Sequence, residues 1–176
     1  MQIKRETVPV WDPFIRIFHW SLALGYLGAW ASAEAWPHQH EQLGYFIVVL
    51  IGLRLVWGVI GTRHARFSDF VRDPRNTLTY LRSLRTGQPQ HYLGHNPAGG
   101  WMVIALLASL AGAAASGILM RGGAEAWEDL HEVLAGLSLL LIATHVAGVF
   151  AASTIHRENL VKAMLTGNKK RRGADV

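Results

Sequence analysis

Four histidines of this chain stand where an imidazole is costly to keep. His19 lies near the start of one long apolar run, His40 opens a second, and His131 and His145 bracket a third. An unpaired ionisable side chain in hydrocarbon is unfavourable, so each of the four needs a partner or a function. His131 and His145 are fourteen residues apart, which at 3.6 residues per turn puts them within about 40° of one another and about 21 Å apart along one helix. One helix therefore offers two imidazoles on one face, near opposite membrane surfaces. Imidazole nitrogen binds transition metals, and nothing sulfur-based can assist it, because the chain has no cysteine. That absence excludes disulfides, thiolate-ligated zinc, cysteine-ligated iron–sulfur clusters, a cysteine nucleophile and covalent haem attachment through C-x-x-C-H.

The elements that must place these side chains follow from hydropathy. Apolar residues make up 51% of the 176 and charged residues 16%, too apolar a balance for an ordinary soluble surface. A helix crosses the hydrocarbon core in ~20 mainly apolar residues. Trp101 to Met120 and Val133 to Ile155 contain no Asp, Glu, Lys or Arg, whereas Phe14 to Ala33 carries Arg16 and His19, and Leu43 to Gly61 carries Arg54. These runs predict four spans, about residues 14–35, 41–61, 99–120 and 130–153, within a single membrane domain of residues 1–176. Arg16 and His19 interrupt the apolar stretch that a secretory signal would need, so the first run is expected to stay. The expected fold class is all-α, an integral membrane four-helix bundle.

Charge decides the orientation. A net charge of +5 and a pI near 10.0 would suit nucleic acid if the basic residues shared one face. With the N-terminus inside, Arg121 alone of the 17 Lys and Arg residues falls in an outer segment and Arg54 falls within a span, which leaves 15 on the inner side. The outer segments carry Glu34, Glu41, Glu125, Glu128, Asp129 and Glu132. The basic balance thus reflects membrane orientation, with both termini cytoplasmic and no nucleic-acid partner expected. Residues 62–98 form the long cytoplasmic loop, where Asp73 to Leu84 predicts a helix on the membrane surface, started by Pro74. The tail, residues 157–176, is basic, and Lys169 to Arg172 is expected to fray or to meet anionic lipid headgroups.

This topology gives each imidazole a partner at its own depth. His19 enters from the inside, at the depth of His145; His40 enters from the outside, at the depth of His131. Two histidine pairs at two depths, with no carboxylate near enough in sequence to complete a metal site, predict two planar cofactors gripped axially, that is, two b-type haems. Zinc would want a third and a fourth ligand, which neither depth offers. His38 competes with His40, and His40 is preferred because Gly44 follows one turn later and can admit the face of a macrocycle. His64, His91, His95 and His156 are read as solvated loop residues.

Arg54 follows His40 by fourteen residues and so returns to nearly the same helical face at the inner end. It either snorkels to the cytoplasmic headgroups or pairs through its guanidinium fork with a propionate of the inner haem. Arg16, one turn before His19, is a second candidate for that pairing. Most glycines in the spans read as helix-packing positions, and the seven tryptophans as an interfacial belt.

These residues resemble the bacterial di-haem cytochrome b561 family, which also includes the b-type cytochrome subunits of nickel–iron hydrogenases. The resemblance is carried by VWDPFIRIFHW from Val10, HEQLGYFIVVLIGLRLVWGVIG from His40, RHARFSDF from Arg63, GHNPAGG from Gly94 and LHEVLAGLSLLLIATH from Leu130. It implies that His19, His40, His131 and His145 are the haem ligands, paired as their depths pair them. It also implies exchange of electrons between membrane quinone and a redox partner, in the bacterial cytoplasmic (inner) membrane.

With histidine on both axial positions a haem has no open iron site, so single-electron transfer is expected rather than oxygen binding. The expected function is quinol-linked electron transfer across the membrane, between the quinone pool and a periplasmic redox protein. A c-type cytochrome or another haem protein with a basic surface would suit the acidic outer segments. A superoxide:quinone oxidoreductase is the enzymatic alternative, and it would need a cationic outer funnel where this chain has only Arg121. A non-redox membrane anchor is the third reading, and it need carry no haem.

Overall fold

The structure is a computed structural model, and it describes residues 7–86, 90–123 and 125–170. Lys4, Arg5, Arg171 and Arg172, which the charge pattern assigns to the inner side, lie outside the described residues, as do the side chain of Arg85 and the ends of the expected 1–176 domain.

Helix starts are written into the sequence as an acid or amide followed by proline. Asp12 precedes α1 (Pro13–Ser32) and accepts from the Ile15 amide at 2.9 Å. Asp73 precedes α4 (Pro74–Arg85), and Asn96 precedes α5 (Pro97–Leu119), accepting from the Gly99 amide at 2.7 Å. The side-chain oxygen satisfies an orphan N–H, each such cap contributing ~1 kcal/mol, while proline supplies a helical φ and lacks the N–H that would be unpaired there. The expected loop helix from Pro74 is therefore present. It is preceded by α2 (Pro37–Ile60) and the one-turn α3 (Phe67–Phe70). After α5, a 3₁₀ turn (Met120–Gly122) leads to α6 (Glu125–Ile155), and α7 (Leu160–Thr166) follows.

Three helical segments are long and apolar enough to cross a membrane: α2, α5 continued through Gly122, and α6. The first of the four expected spans, α1, has twenty residues but is not among the three, because Arg16, His19 and its tryptophans dilute its apolar content. The helices pack in succession, α1 on α2, α2 on α5 and α5 on α6. Tyr26 and Ala29 of α1, Ile47 and Ile51 of α2, and Leu107 and Leu110 of α5 form the shared core. In lipid this contact rests on close packing rather than on removal from water, and Gly25 and Gly28 of α1 let Phe46 and Leu43 of α2 come close. At Gly112 an added Cβ would stand 3.1 Å from Leu134 of α6. The 31-residue α6 contributes one buried residue, Ser138, and its remaining contact with the core is through Ile142. Helix α6 thus lies against α5 and stands off from α1 and α2.

The end of the helices nearest both termini is closed by a small ribbon. Strand β1 (Thr7–Pro9) pairs antiparallel with β2 (Asn168–Lys170), Thr7 opposite Lys170. The amides of Val10 and Trp11 continue the pairing onto the Gly167 carbonyl, at 2.8 and 3.0 Å. Gly167 takes φ of 83°, the left-handed conformation that glycine adopts without strain. Of the stretch Lys169 to Arg172, expected to fray or to meet anionic headgroups, Lys169 and Lys170 are instead held in β2, and Arg171 and Arg172 lie outside the described residues. Lys169 is 5% exposed, donates to the Tyr92 carbonyl at 2.9 Å and pairs with Glu158 at 3.6 Å. Glu158 also accepts from the Lys170 amide at 3.0 Å and faces His91 Nε2 at 3.2 Å. Burial pushes the Glu158 carboxyl up, but the Lys170 amide, the Lys169 charge and His91 outweigh it and hold the group below its ordinary value. A lysine drawn into a paired, hydrogen-bonded position is compensated locally and has no need of headgroups.

Candidate functional site

The space between α6 and the α1–α2 pair is bridged at two heights by histidines. His19 of α1 faces His145 of α6 with ring centres 6.4 Å apart. His40 of α2 faces His131 of α6 with ring centres 5.9 Å apart. Two metal–imidazole bonds of about 2.0–2.1 Å, with about 1.1 Å from each nitrogen to its ring centre, put axial imidazole centres about 6 Å apart. Both separations fit one metal atom held between the rings. The structure brings together the pairs that depth alone predicted.

Supporting hydrogen bonds differ between the two heights. His40 Nδ1–H donates to the Ala29 carbonyl of α1 at 2.8 Å, and His131 Nδ1–H donates to the Ala113 carbonyl of α5 at 2.8 Å. A carbonyl only accepts, so each bond assigns the proton to Nδ1 and leaves the Nε2 lone pair for a metal. Gly117 makes room for the His131 ring, whose Nδ1 and Cε1 would lie 3.2 Å from an added Cβ. At the other height His19 Nδ1 is buried without a partner. His38, the rival of His40, is exposed and bonds Gln42 at 3.1 Å, so the two residues point to different sides of α2. Gly44 has open space where its Cβ would be. Among the described residues no group of three His, Asp or Glu side chains is arranged to hold a metal ion.

The arginines separate. Arg54 does not reach the headgroups: it is 3% exposed, donates through Nη2 to the Ala65 carbonyl at 3.0 Å, and lies 4.7 Å from the Phe67 ring centre. Gly58 allows this roof, since any Cβ there would overlap the Phe67 ring. Arg16, the second candidate, donates through Nη2 to the Leu165 carbonyl of α7. That bond ties the inner end of α1 to the tail.

Of the four loop histidines read as solvated, His91 is buried and His64, His95 and His156 are half-buried. His91 is buried against Glu158, and His156 packs on the His91 ring at 5.4 Å. The Nδ1 of His64 would lie 3.0 Å from a Cβ at Gly94. His95 sits between Trp11 and Phe70, at 4.8 and 4.6 Å between ring centres. Burial pushes His95 down to about 3, with the charge of Arg54 and the neighbouring His145 adding to the effect, so its ring is neutral at physiological pH. Its place just before the Asn96–Pro97 helix start was the available signal, because a residue there must pack under α5.

Asp12 joins the ends of the first two helices. Its Oδ2 accepts from Trp57 Nε1 at 3.2 Å and from Thr62 Oγ1 at 2.6 Å. Burial raises its carboxyl, but the bonds from Thr62, the Ile15 amide and Trp57 prevail and hold it below the ordinary value. Arg121 pairs with Glu41 at 3.1 Å and donates to the Tyr45 hydroxyl at 2.7 Å. The cation expected on the outer side is thus engaged within the chain.

The family model for prokaryotic cytochrome b561 matches residues 10–167. The chain belongs to the prokaryotic cytochrome b561 family. Membership makes it a membrane b-type cytochrome that binds haem b and works in electron transfer. The match runs from the residue after β1 to the glycine that closes α7, so both histidine pairs of this cytochrome b561 fall inside it. No curated protein and no solved structure matches the chain.

Proposed function

We propose that this cytochrome b561 carries two haem b groups, one between His19 and His145 and one between His40 and His131, and moves electrons across the bacterial cytoplasmic membrane between quinone and a periplasmic redox protein. The observation that carries the reading is the double use of α6: its two histidines meet partners from two different helices at ring separations of 6.4 and 5.9 Å. A helix that packs closely on α5 alone, with its histidine face turned to a gap, is what two inserted macrocycles require. In this reading α1 is the fourth span, and the positive-inside pattern sets both termini in the cytoplasm.

Haem b with histidine on both faces supplies one-electron transfer and offers no open iron position. The chain's part is to hold and tune it. Ala29 and Ala113 lend their carbonyls to fix the outer ligands and raise their basicity. The inner ligand His19 has no such bond, so the two sites are built with different electronics. Apolar faces of α2, α5 and α6 keep water from the gap. The acidic outer residues Glu34, Glu125, Glu128, Asp129 and Glu132 suit a basic c-type cytochrome or similar haem protein. Engagement of Arg121 by Glu41 removes the cation that a superoxide funnel would use, and a haem-free anchor would have no need of the histidine gap.

An optical redox titration of the purified protein tests the reading. Two low-spin b-type components, both reduced by added quinol, are expected. A single component, or none, would overturn it.

A further inference from the structure

We infer that Arg54 and His95 together form a carboxylate-binding subsite at the inner end of the α2–α6 gap, and that its occupant is a propionate of the inner haem. The inference rests on the two-haem reading and adds a residue that the spacing of the ligands does not reveal. Arg54 brings a guanidinium into the interior, 3% exposed, with Nη1 buried and without any hydrogen-bond partner. His95 brings a second buried nitrogen, Nδ1, equally unpartnered. Both side chains pack on the same ring: Phe70 lies 4.6 Å from the His95 ring centre and 5.9 Å from Arg54 Cζ. Arg54 and His145 both stand near enough to His95 for their charge to oppose its protonation. Two orphaned nitrogens thus sit on one aromatic platform beside the inner histidine pair.

A buried cation without a counter-charge is strongly destabilising, and unmade hydrogen bonds add to it. The carboxylate that Arg54 senses is Asp12, whose oxygens are taken by the Ile15 amide, Trp57 and Thr62. The missing partner must therefore be an anion with an acceptor for each nitrogen. A neutral quinone carbonyl would satisfy hydrogen bonds but leave the charge. A carboxylate satisfies both, and the guanidinium fork matches its geometry. A propionate arrives with the macrocycle that His19 and His145 would hold. Phe67 and Phe70 then exclude water from the pair.

The test is redox-induced infrared difference spectroscopy on the purified full chain, assembled in cells supplied with haem precursor carrying ¹³C at the propionate carboxyls. In the wild type the labelled bands should be those of an ionised carboxylate. In Arg54→Leu and in His95→Leu a labelled band should shift toward the protonated-carboxyl region, and Arg54→Lys should restore it in part. His131→Ala, which removes the outer pair, should leave that band in place. Should Arg54→Leu fail to assemble, His95→Leu and Arg54→Lys still decide the matter. Labelled bands unchanged in the variants, with both haems retained, would overturn the subsite. Bands that instead follow an added quinone analogue would overturn the choice of a carboxylate. A wild type with fewer than two bis-histidine components would mark failure of the two-haem reading itself.

Discussion

Gly117 and His131 approach closely across the α5–α6 interface: a Cβ at 117 would stand 3.2 Å from both Nδ1 and Cε1 of the imidazole, tighter than such contacts ordinarily are. The same imidazole is anchored by the Ala113 carbonyl one turn earlier on α5. Gly117→Ala should push the ring off that carbonyl, and loss of such an outer-shell bond typically weakens binding about 10–100-fold. Haem titration of the variant should show the outer component depleted and the inner one intact. Equal loss of both components would show that Gly117 acts through helix packing instead.

The ligands should separate by depth rather than by helix. His131→Ala and His40→Ala should lose the same spectral component, and His145→Ala and His19→Ala the other, because α6 serves both pairs. His38→Ala should keep both components, since its ring is exposed and turned to Gln42. Optical redox titration of the five variants checks this. If the two α6 variants remove one and the same component, the pairing is wrong.

At the β1–β2 end, Glu158→Gln should remove the Glu158 charge that pairs with buried Lys169. Breaking a buried pair costs about 3–5 kcal/mol, which should appear as earlier thermal unfolding and faster proteolysis of the tail. The pH dependence has a definite sign. The folded carboxyl lies below its ordinary value, so its contribution is complete above the unfolded glutamate pKa of about 4.3 and is lost as pH falls through the folded value. Wild-type tail protection should therefore hold down to mildly acidic pH and fail below it. The glutamine variant should lack that transition.

Orientation is tested by reporter fusions at Gly123 and Gly173. The charge pattern predicts an outside signal at the first and an inside signal at the second. The reverse at either position would dismantle the depth argument and the ligand pairing with it.

What the sequence determined by itself is whatever is periodic or local. The apolar runs, the Asp–Pro and Asn–Pro helix starts, and the fourteen-residue spacing of His131 and His145 are properties of neighbouring residues. A helix converts them into faces and heights by its fixed rise and turn. The histidine pairs were legible for the same reason, because a bilayer limits partners to residues of equal depth. The seating of Lys169 was not. Neither was the burial of His95 between Trp11 and Phe70, nor the turning of Arg54 beneath Phe67. Each of these depends on segments far apart in the chain meeting at one point, and an apolar or basic residue looks the same in sequence whether lipid, water or a remote side chain covers it. Only the tertiary structure decides which of the three does.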